Sequence, residues 1–169
     1  MVIHEMQAHL TCGLDFRRIW DKALVWWLLV CTSVVPAGAT SLDPQSVYAH
    51  VIGGYVYWGQ GKMEAAKSAY RVATEKANGE PWQYTIAANR LGRIYAIEGF
   101  GGMAENYFNR AISQESQCAV FYANKAYLLE ELNRPGEALE LYRKALRLEP
   151  HDPLTQVLLQ RAKARQEDQ

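Results

Sequence analysis

The side chains that could carry catalysis or hold a metal ion are few in this chain of 169 residues. It has four histidines and three cysteines. His50 and His151 are far apart, and no cysteine stands at metal-ligand spacing from either. The sequence contains no phosphate-binding loop, no serine nucleophile elbow and no zinc-protease motif. We therefore predict a chain that is not an enzyme and that carries no cofactor or metal.

The charge balance excludes a further class of function. The chain has 18 basic and 18 acidic residues, so its formal net charge is zero. Surfaces that bind nucleic acid need a positive excess or a basic stripe, because they neutralise phosphates. Neither feature is present, and we predict no nucleic-acid partner.

An uncharged apolar run occupies residues 23–35. Basic residues at positions 17, 18 and 22 precede it, and Ala37-Gly38-Ala39 follows it. A basic region, an apolar stretch of about 7–15 residues and a site of small residues are typical of a secretory signal peptide. We therefore predict that residues 1–39 are cleaved after Ala39. A membrane span needs about 20 apolar residues, so an anchor retained through residues 23–39 is the alternative.

Both interpretations place the rest of the chain on the same side of the membrane. Basic residues before an apolar segment favour the cytoplasmic side, so the chain beyond the segment is predicted to be periplasmic or otherwise extracytoplasmic. The anchored alternative attaches it to the inner membrane. Cleavage would also remove two of the three cysteines, and Cys118 would then be a small packing residue with no internal disulfide partner.

The remainder of the chain repeats with a period close to 34 residues. In each of three copies a small residue is followed, at fixed spacing, by a large residue, an alanine, an aromatic ring and a second alanine. The five positions in the three copies are Gly54, Gly92 and Ala126; Tyr57, Tyr95 and Leu129; Ala66, Ala104 and Ala138; Tyr70, Phe108 and Tyr142; and Ala73, Ala111 and Ala145. Such self-similarity predicts stacked structural repeats.

This pattern resembles the tetratricopeptide repeat, in which each unit is a pair of antiparallel helices. The resemblance places a linker at 40–46 and a repeat domain at 47–152, divided into repeats 47–80, 85–118 and 119–152. It implies an all-α, right-handed α-solenoid of three helical hairpins. In such a hairpin the small residue lets the second helix approach the first, and the aromatic rings fill the space around the contact. Tyr57 is thereby expected to be a core residue.

Turn signals separate the predicted helices. Glycine-rich or Pro-Gly stretches occur at residues 59–61, 99–102 and 133–136. Asp152-Pro153 begins a last helix within 153–169. We predict that this capping helix covers the open end of the stack with Leu154, Val157 and Leu158.

The resemblance also implies a binding surface. In this family, positions 2, 5, 9 and 12 of each first helix line a concave groove that takes a peptide or a helix of another protein. Repeat by repeat, these positions are Tyr48, Val51, Tyr55 and Trp58; Ile86, Asn89, Arg93 and Ala96; and Val120, Ala123, Tyr127 and Glu130. Aromatic anchors around an asparagine and an arginine suit an apolar peptide with a carboxylate or a hydrogen-bonding backbone. The lysine and asparagine with which some members grip a terminal carboxylate are replaced by Val51 and Tyr55.

These features together predict a non-catalytic adaptor or assembly factor of the cell envelope with a protein or peptide partner. One alternative is an accessory subunit of an envelope enzyme or maturation complex. The other is a homo-oligomeric scaffold in which the aromatic residues of 48–58 make a self-contact.

Overall fold

The computed structural model describes residues 46–77 and 81–167, and this part of the chain is entirely helical. Residues 1–39, which contain the predicted signal peptide or anchor, lie outside it. The helices, in chain order, are α1 (Val47–Gly59), α2 (Met63–Lys76), α3 (Pro81–Ile97), α4 (Gly101–Gln114), α5 (Ala119–Glu131), α6 (Pro135–Leu148) and α7 (Pro153–Glu167).

Consecutive helices pair as three hairpins, α1–α2, α3–α4 and α5–α6, and α7 packs on α6. Each hairpin turn has three residues, and the middle one has a positive φ: 73° at Gly61, 81° at Gly99 and 59° at Asn133. Glycine and asparagine are the residues that adopt this conformation at low cost. The N–H of the following residue donates to a carbonyl five residues earlier, as Lys62 does to Tyr57. The all-α repeat fold predicted from the sequence is confirmed.

In the first two hairpins, the small residue of the first helix lies directly under an aromatic ring of the second helix. A Cβ added at Gly54 would lie 2.5 Å from the Tyr70 ring, and one added at Gly92 would lie 2.7 Å from the Phe108 ring. Both rings are buried. Helix–helix contact at this distance requires glycine, because atoms of a packed core cannot overlap.

Neighbouring hairpins share their hydrophobic cores, and this sharing makes the stack. The first cluster joins helices α1 and α2 to the following α3. Its buried members are Val51, Ala66, Tyr70, Ala73, Ala87, Leu91 and Ile94. A second cluster joins α5 and α6 to α7, with Leu158 and Leu159 packed against Ala162 and the α6 side chains. No single hairpin could bury these apolar faces alone.

Two ion pairs at equivalent places join α2 and α4 to the hairpin that follows each of them. Lys67 of α2 lies 2.6 Å from Glu98 in the α3–α4 turn. Glu105 of α4 lies 2.8 Å from Arg134 in the α5–α6 turn. In this second pair the acidic residue is on the helix and the basic residue is in the turn, the reverse of the first pair. The hydrogen bond from Arg134 holds the pKa of Glu105 below its usual range. The pairs are partly exposed and add modest stability.

The expectation that Tyr57 is a core residue is wrong. Its side chain is 39% exposed, whereas Tyr55 and Trp58 of the same helix pack against the first core cluster. The equivalent Tyr95 packs against the preceding hairpin, with Lys67 of α2 lying 5.8 Å from its ring centre. Leu129 is buried among side chains of α5, α6 and α7. Among the described residues no hairpin precedes α1, so Tyr57 has nothing to pack against on that side.

Two further expectations need correction. Leu154 and Val157 of the capping helix do not cover the stack, because each is 65% exposed; Thr155 and Ala162 are the buried residues of α7. Cys118 is completely buried, as expected of a packing residue. It is, however, disulfide-bonded and not a free thiol.

Candidate functional site

The first helices α1, α3 and α5 carry the residues predicted to line the groove, spaced three or four apart so that they share a helix face. They differ in exposure. Exposed members are Tyr48 and Tyr127; half-buried members are Tyr55, Trp58, Ile86, Arg93, Ala96, Val120 and Ala123; buried members are Val51, Asn89 and Glu130.

Arginine side chains of α3 lie over aromatic rings of α1. The Arg93 guanidinium carbon is 5.2 Å from the centre of the Trp58 ring. The guanidinium carbon of Arg90 is 4.4 Å from the Tyr55 ring centre. Contacts of this kind are worth about 0.5–2 kcal/mol, and they hold the flat faces of both partners in place. Arg90 was not predicted, because it is one residue beyond the expected groove position.

An asparagine pair joins the next two first helices. The side-chain nitrogen of Asn124 on α5 donates to the Asn89 side-chain oxygen on α3, over 3.0 Å. The Asn89 side-chain nitrogen is buried, and it has no hydrogen-bond acceptor within the described ranges. A buried donor of this kind is costly unless an acceptor reaches it. Asn124 was missed by sequence reasoning for the same reason as Arg90.

The aromatic side chains at the start of the groove also make contacts between repeats. The Tyr48 and Trp82 rings meet edge to face, with centres 6.0 Å apart. Trp82 belongs to the extra first turn of α3, which has 17 residues where α1 and α5 have 13. The insertion between the first two repeats therefore adds one aromatic residue beside the groove.

Glu130 is held by the capping helix. Its side chain is fully buried, and Arg161 donates to its two oxygens over 2.9 and 2.8 Å. Arg165 lies 2.9 Å from the same carboxylate, and the Tyr142 hydroxyl donates to it over 3.2 Å. Glu130, which was predicted to line the groove, is therefore buried and paired with arginines of α7. Burial beside this carboxylate raises the pKa of the Tyr142 hydroxyl.

The capping helix continues the register of the first helices. It begins at Pro153, which is 34 residues after Ala119, the first residue of α5. The same shift carries Val120 to Leu154 and Ala123 to Val157, so these two exposed side chains occupy groove positions. Arg161 follows at the next groove position, 5.2 Å from the Tyr127 ring centre. One further step of the repeat period along the sequence would have found them.

The described ranges lack other kinds of site. No group of three or more histidine, cysteine, aspartate or glutamate side chains there could hold a metal ion. Within residues 46–77 and 81–167, no helix has the length and apolar character that crossing a bilayer requires.

Sequence comparison agrees with this architecture. Two family models described as tetratricopeptide repeat match residues 119–152 and 49–75. The mouse protein O-mannosyl-transferase TMTC3 is 26% identical over 148 residues, which are 81% of this chain and 15% of that protein. The chain thus spans about a seventh of the length of the curated relative that it matches.

Solved structures with the same fold come from several sources. The first repeat domain of Spaghetti (RPAP3), bound to the HSP90 peptide SRMEEVD, aligns with a TM-score of 0.65 and 20% identity, over 74% of this chain and 96% of that one. The Arabidopsis OM64 domain aligns with a TM-score of 0.62 and 20% identity, over 70% and 94%. MamA aligns with a TM-score of 0.55 and 26% identity, over 64% and 57%.

Fold, groove and family models together define a helical-repeat protein of the kind that binds other proteins. Residues 49–75 and 119–152 match the tetratricopeptide repeat family. Members of this family are in general non-catalytic modules, and this chain is a protein-interaction module.

Proposed function

We propose that the chain binds a segment of a partner protein in the concave groove of α1, α3, α5 and α7, and that it does so outside the cytoplasm. The observation that carries the proposal is the Trp58–Arg93 contact on one groove wall, next to the buried, unsatisfied Asn89 nitrogen. Aromatic and arginine side chains dominate binding energy at interfaces. They are held in position here by contacts between repeats.

The two halves of the groove indicate the chemistry of the segment. Around α3 the polar groups are the Arg93 guanidinium and the Asn89 amide, which donate hydrogen bonds to carboxylate or carbonyl oxygens. Towards α7 the surface is apolar, with Tyr127, Leu154 and Val157 exposed. We therefore propose a segment with acceptor groups at one end and apolar side chains at the other. The acidic peptide SRMEEVD bound to one structural neighbour supports this choice.

We propose further that the chain is itself non-catalytic. The described residues show no metal site, and the family is in general an interaction module. The relative TMTC3 is named as a transferase, but this chain matches 15% of it.

Photo-crosslinking tests the groove. A photoreactive residue at Ile86, inside the groove, is expected to capture one partner protein in cells, whereas the same residue at Arg147 on α6 is expected to capture none. Arg93→Glu is expected to weaken capture at least about tenfold, equivalent to about 1.4 kcal/mol. Arg147→Glu makes the same charge change on the outer surface and is the matched control. Equal effects of Arg93→Glu and Arg147→Glu would remove the groove from the binding site.

Mass spectrometry of the native N-terminus tests the export proposal, which rests on the apolar run 23–35 and the small residues before Thr40. We expect a mature chain that begins at Thr40 in the periplasmic fraction, and an uncleaved membrane-bound chain when Ala39 is replaced by arginine. A mature chain of this length has lost Cys12 and Cys31, so Cys118 can no longer form an internal disulfide. An uncleaved wild-type chain found in the cytoplasmic fraction contradicts export.

A further inference from the structure

Helix α1 is unusual among the seven described helices because it contains no lysine, arginine, aspartate or glutamate. One of its faces is exposed and apolar: Ile52 is 43%, Val56 is 50% and Tyr57 is 39% exposed. With the adjacent small residues Ala49 and Gly53, these side chains make up the α1 outer face. Terminal repeats of a solenoid need a polar outer surface to stay in solution, and this face lacks one.

The repeat pattern shows what such a face does elsewhere in the molecule. The shift that places Gly54 on Gly92 is 38 residues. The same shift places the α1 outer face on a face of α3 formed by Ala87, Arg90, Leu91, Ile94 and Tyr95. Ala87, Leu91 and Ile94 are completely buried in the core cluster with α1 and α2, Arg90 is 1% exposed, and Tyr95 packs against the cluster. The α1 outer face is therefore a stacking face, and within the described ranges no hairpin lies upstream to pack on it.

The mature chain cannot cover this face by itself. This step rests on the proposed export, in which residues 1–39 are removed or held in the membrane. Residues 40–45 then remain ahead of Ser46, where α1 is capped, and Leu42 is the only large apolar side chain among them. So short a segment cannot form a stable helix of its own. The covering surface must come from another molecule.

We propose that a second copy of this chain covers the α1 outer face, with the two α1 helices crossing about a two-fold axis near Ile52 and Gly53. In a two-fold interface each residue near the axis meets its own copy, and an uncharged apolar face is complementary to itself. The backbones of the two helices can approach closely at Gly53, because this residue has no side chain and little surrounds it. A Cβ added there would have the Tyr57 ring, at 4.0 Å, as its one neighbour within 4 Å.

This surface is separate from the partner groove. The groove members of α1, among them Tyr48 and Trp58, contact α3 through Trp82 and Arg93. Self-association and partner capture can therefore fail independently, and partner capture from Ile86 is expected to persist in a monomeric variant.

Sedimentation velocity of the protein purified from the envelope fraction in mild detergent tests the proposal. The wild-type protein is expected to be a dimer, and Ile52→Glu and Ile52→Lys are each expected to be monomers whose dimer dissociation constant is raised at least about tenfold. An equimolar mixture of these two variants is expected to dimerise again, because opposite charges then meet at the axis. Ile97→Glu alters a side chain that is 64% exposed on α3 and is the matched control, expected to remain dimeric.

Three results would overturn the inference. The first is a monomeric wild-type protein, which is also the result expected if the chain covers its own α1 helix. The second is a dimer that persists in Ile52→Glu. The third is an equimolar mixture of the two Ile52 variants that stays monomeric. Far-ultraviolet circular dichroism of each variant shows whether its helices are formed.

Discussion

Replacing Arg161 and Arg165 together with alanine is expected to lower the free energy of unfolding by about 3–5 kcal/mol. The two guanidinium groups lie 2.8 and 2.9 Å from the carboxylate of Glu130, whose side chain is completely buried. Without them the carboxylate keeps only the hydroxyl of Tyr142 as a hydrogen-bond donor among its described contacts. An uncompensated charge in a protein interior is among the most destabilising defects known.

Chemical denaturation of three variants separates charge burial from loss of packing. Adding Glu130→Met to the double arginine variant is expected to recover most of the lost stability, because the charge is then absent and the volume is nearly kept. Replacement of Arg143 and Arg147 by alanine removes two exposed arginines of α6 and is expected to change stability by less than about 0.5 kcal/mol. If Glu130→Met recovers nothing, the arginines act through packing of α7 and not through the carboxylate.

Replacing Gly92 with alanine is expected to lower the free energy of unfolding by about 1–3 kcal/mol. The new Cβ would lie 2.7 Å from the ring of Phe108, which is 1% exposed and has no room to move. The higher helix propensity of alanine offsets up to about 1 kcal/mol of this cost. Gly102→Ala in α4 is the matched control, since nothing lies within 4 Å of its added Cβ; it is expected to be neutral or slightly stabilising.

A double-mutant cycle with Phe108→Leu identifies the cause. If the clash with the ring sets the cost, Gly92→Ala is expected to be close to neutral in the Phe108→Leu background, with a coupling energy above about 1 kcal/mol. Additive effects of the two substitutions would show that Gly92 is needed for another reason. The measurement is the midpoint and slope of urea unfolding for all four proteins.

The repeat pattern in the sequence was sufficient to predict the fold. A small residue twelve positions before an alanine, and an aromatic four after it, are constraints internal to one hairpin. Gly92 and Phe108 therefore make the same contact as Gly54 and Tyr70, wherever the hairpin lies in the stack. The turns were predictable for a similar reason, because a positive φ at Gly61, Gly99 and Asn133 depends on the local chain alone.

Sequence reasoning went wrong at residues whose surroundings depend on a neighbouring hairpin. Tyr57 occupies a core position in the pattern, yet it is exposed because no hairpin precedes it in the described chain. Glu130 and Glu131 are adjacent acidic residues at the end of α5, yet Glu130 is buried because arginines of α7 contact it. One of them, Arg161, is 31 residues further along the chain. Leu154 is apolar, yet it faces solvent.

The sequence by itself determined the helical hairpins, their turns and the small-to-aromatic contacts within them, since these follow from local backbone geometry and from a repeat that recurs along the chain. Only the tertiary structure decided which apolar residues are covered, and that Arg93 and Asn89 are positioned by contacts between repeats. A residue is buried only when another surface packs against it. At either end of a stack, the residue type alone does not show whether a neighbouring repeat provides that surface.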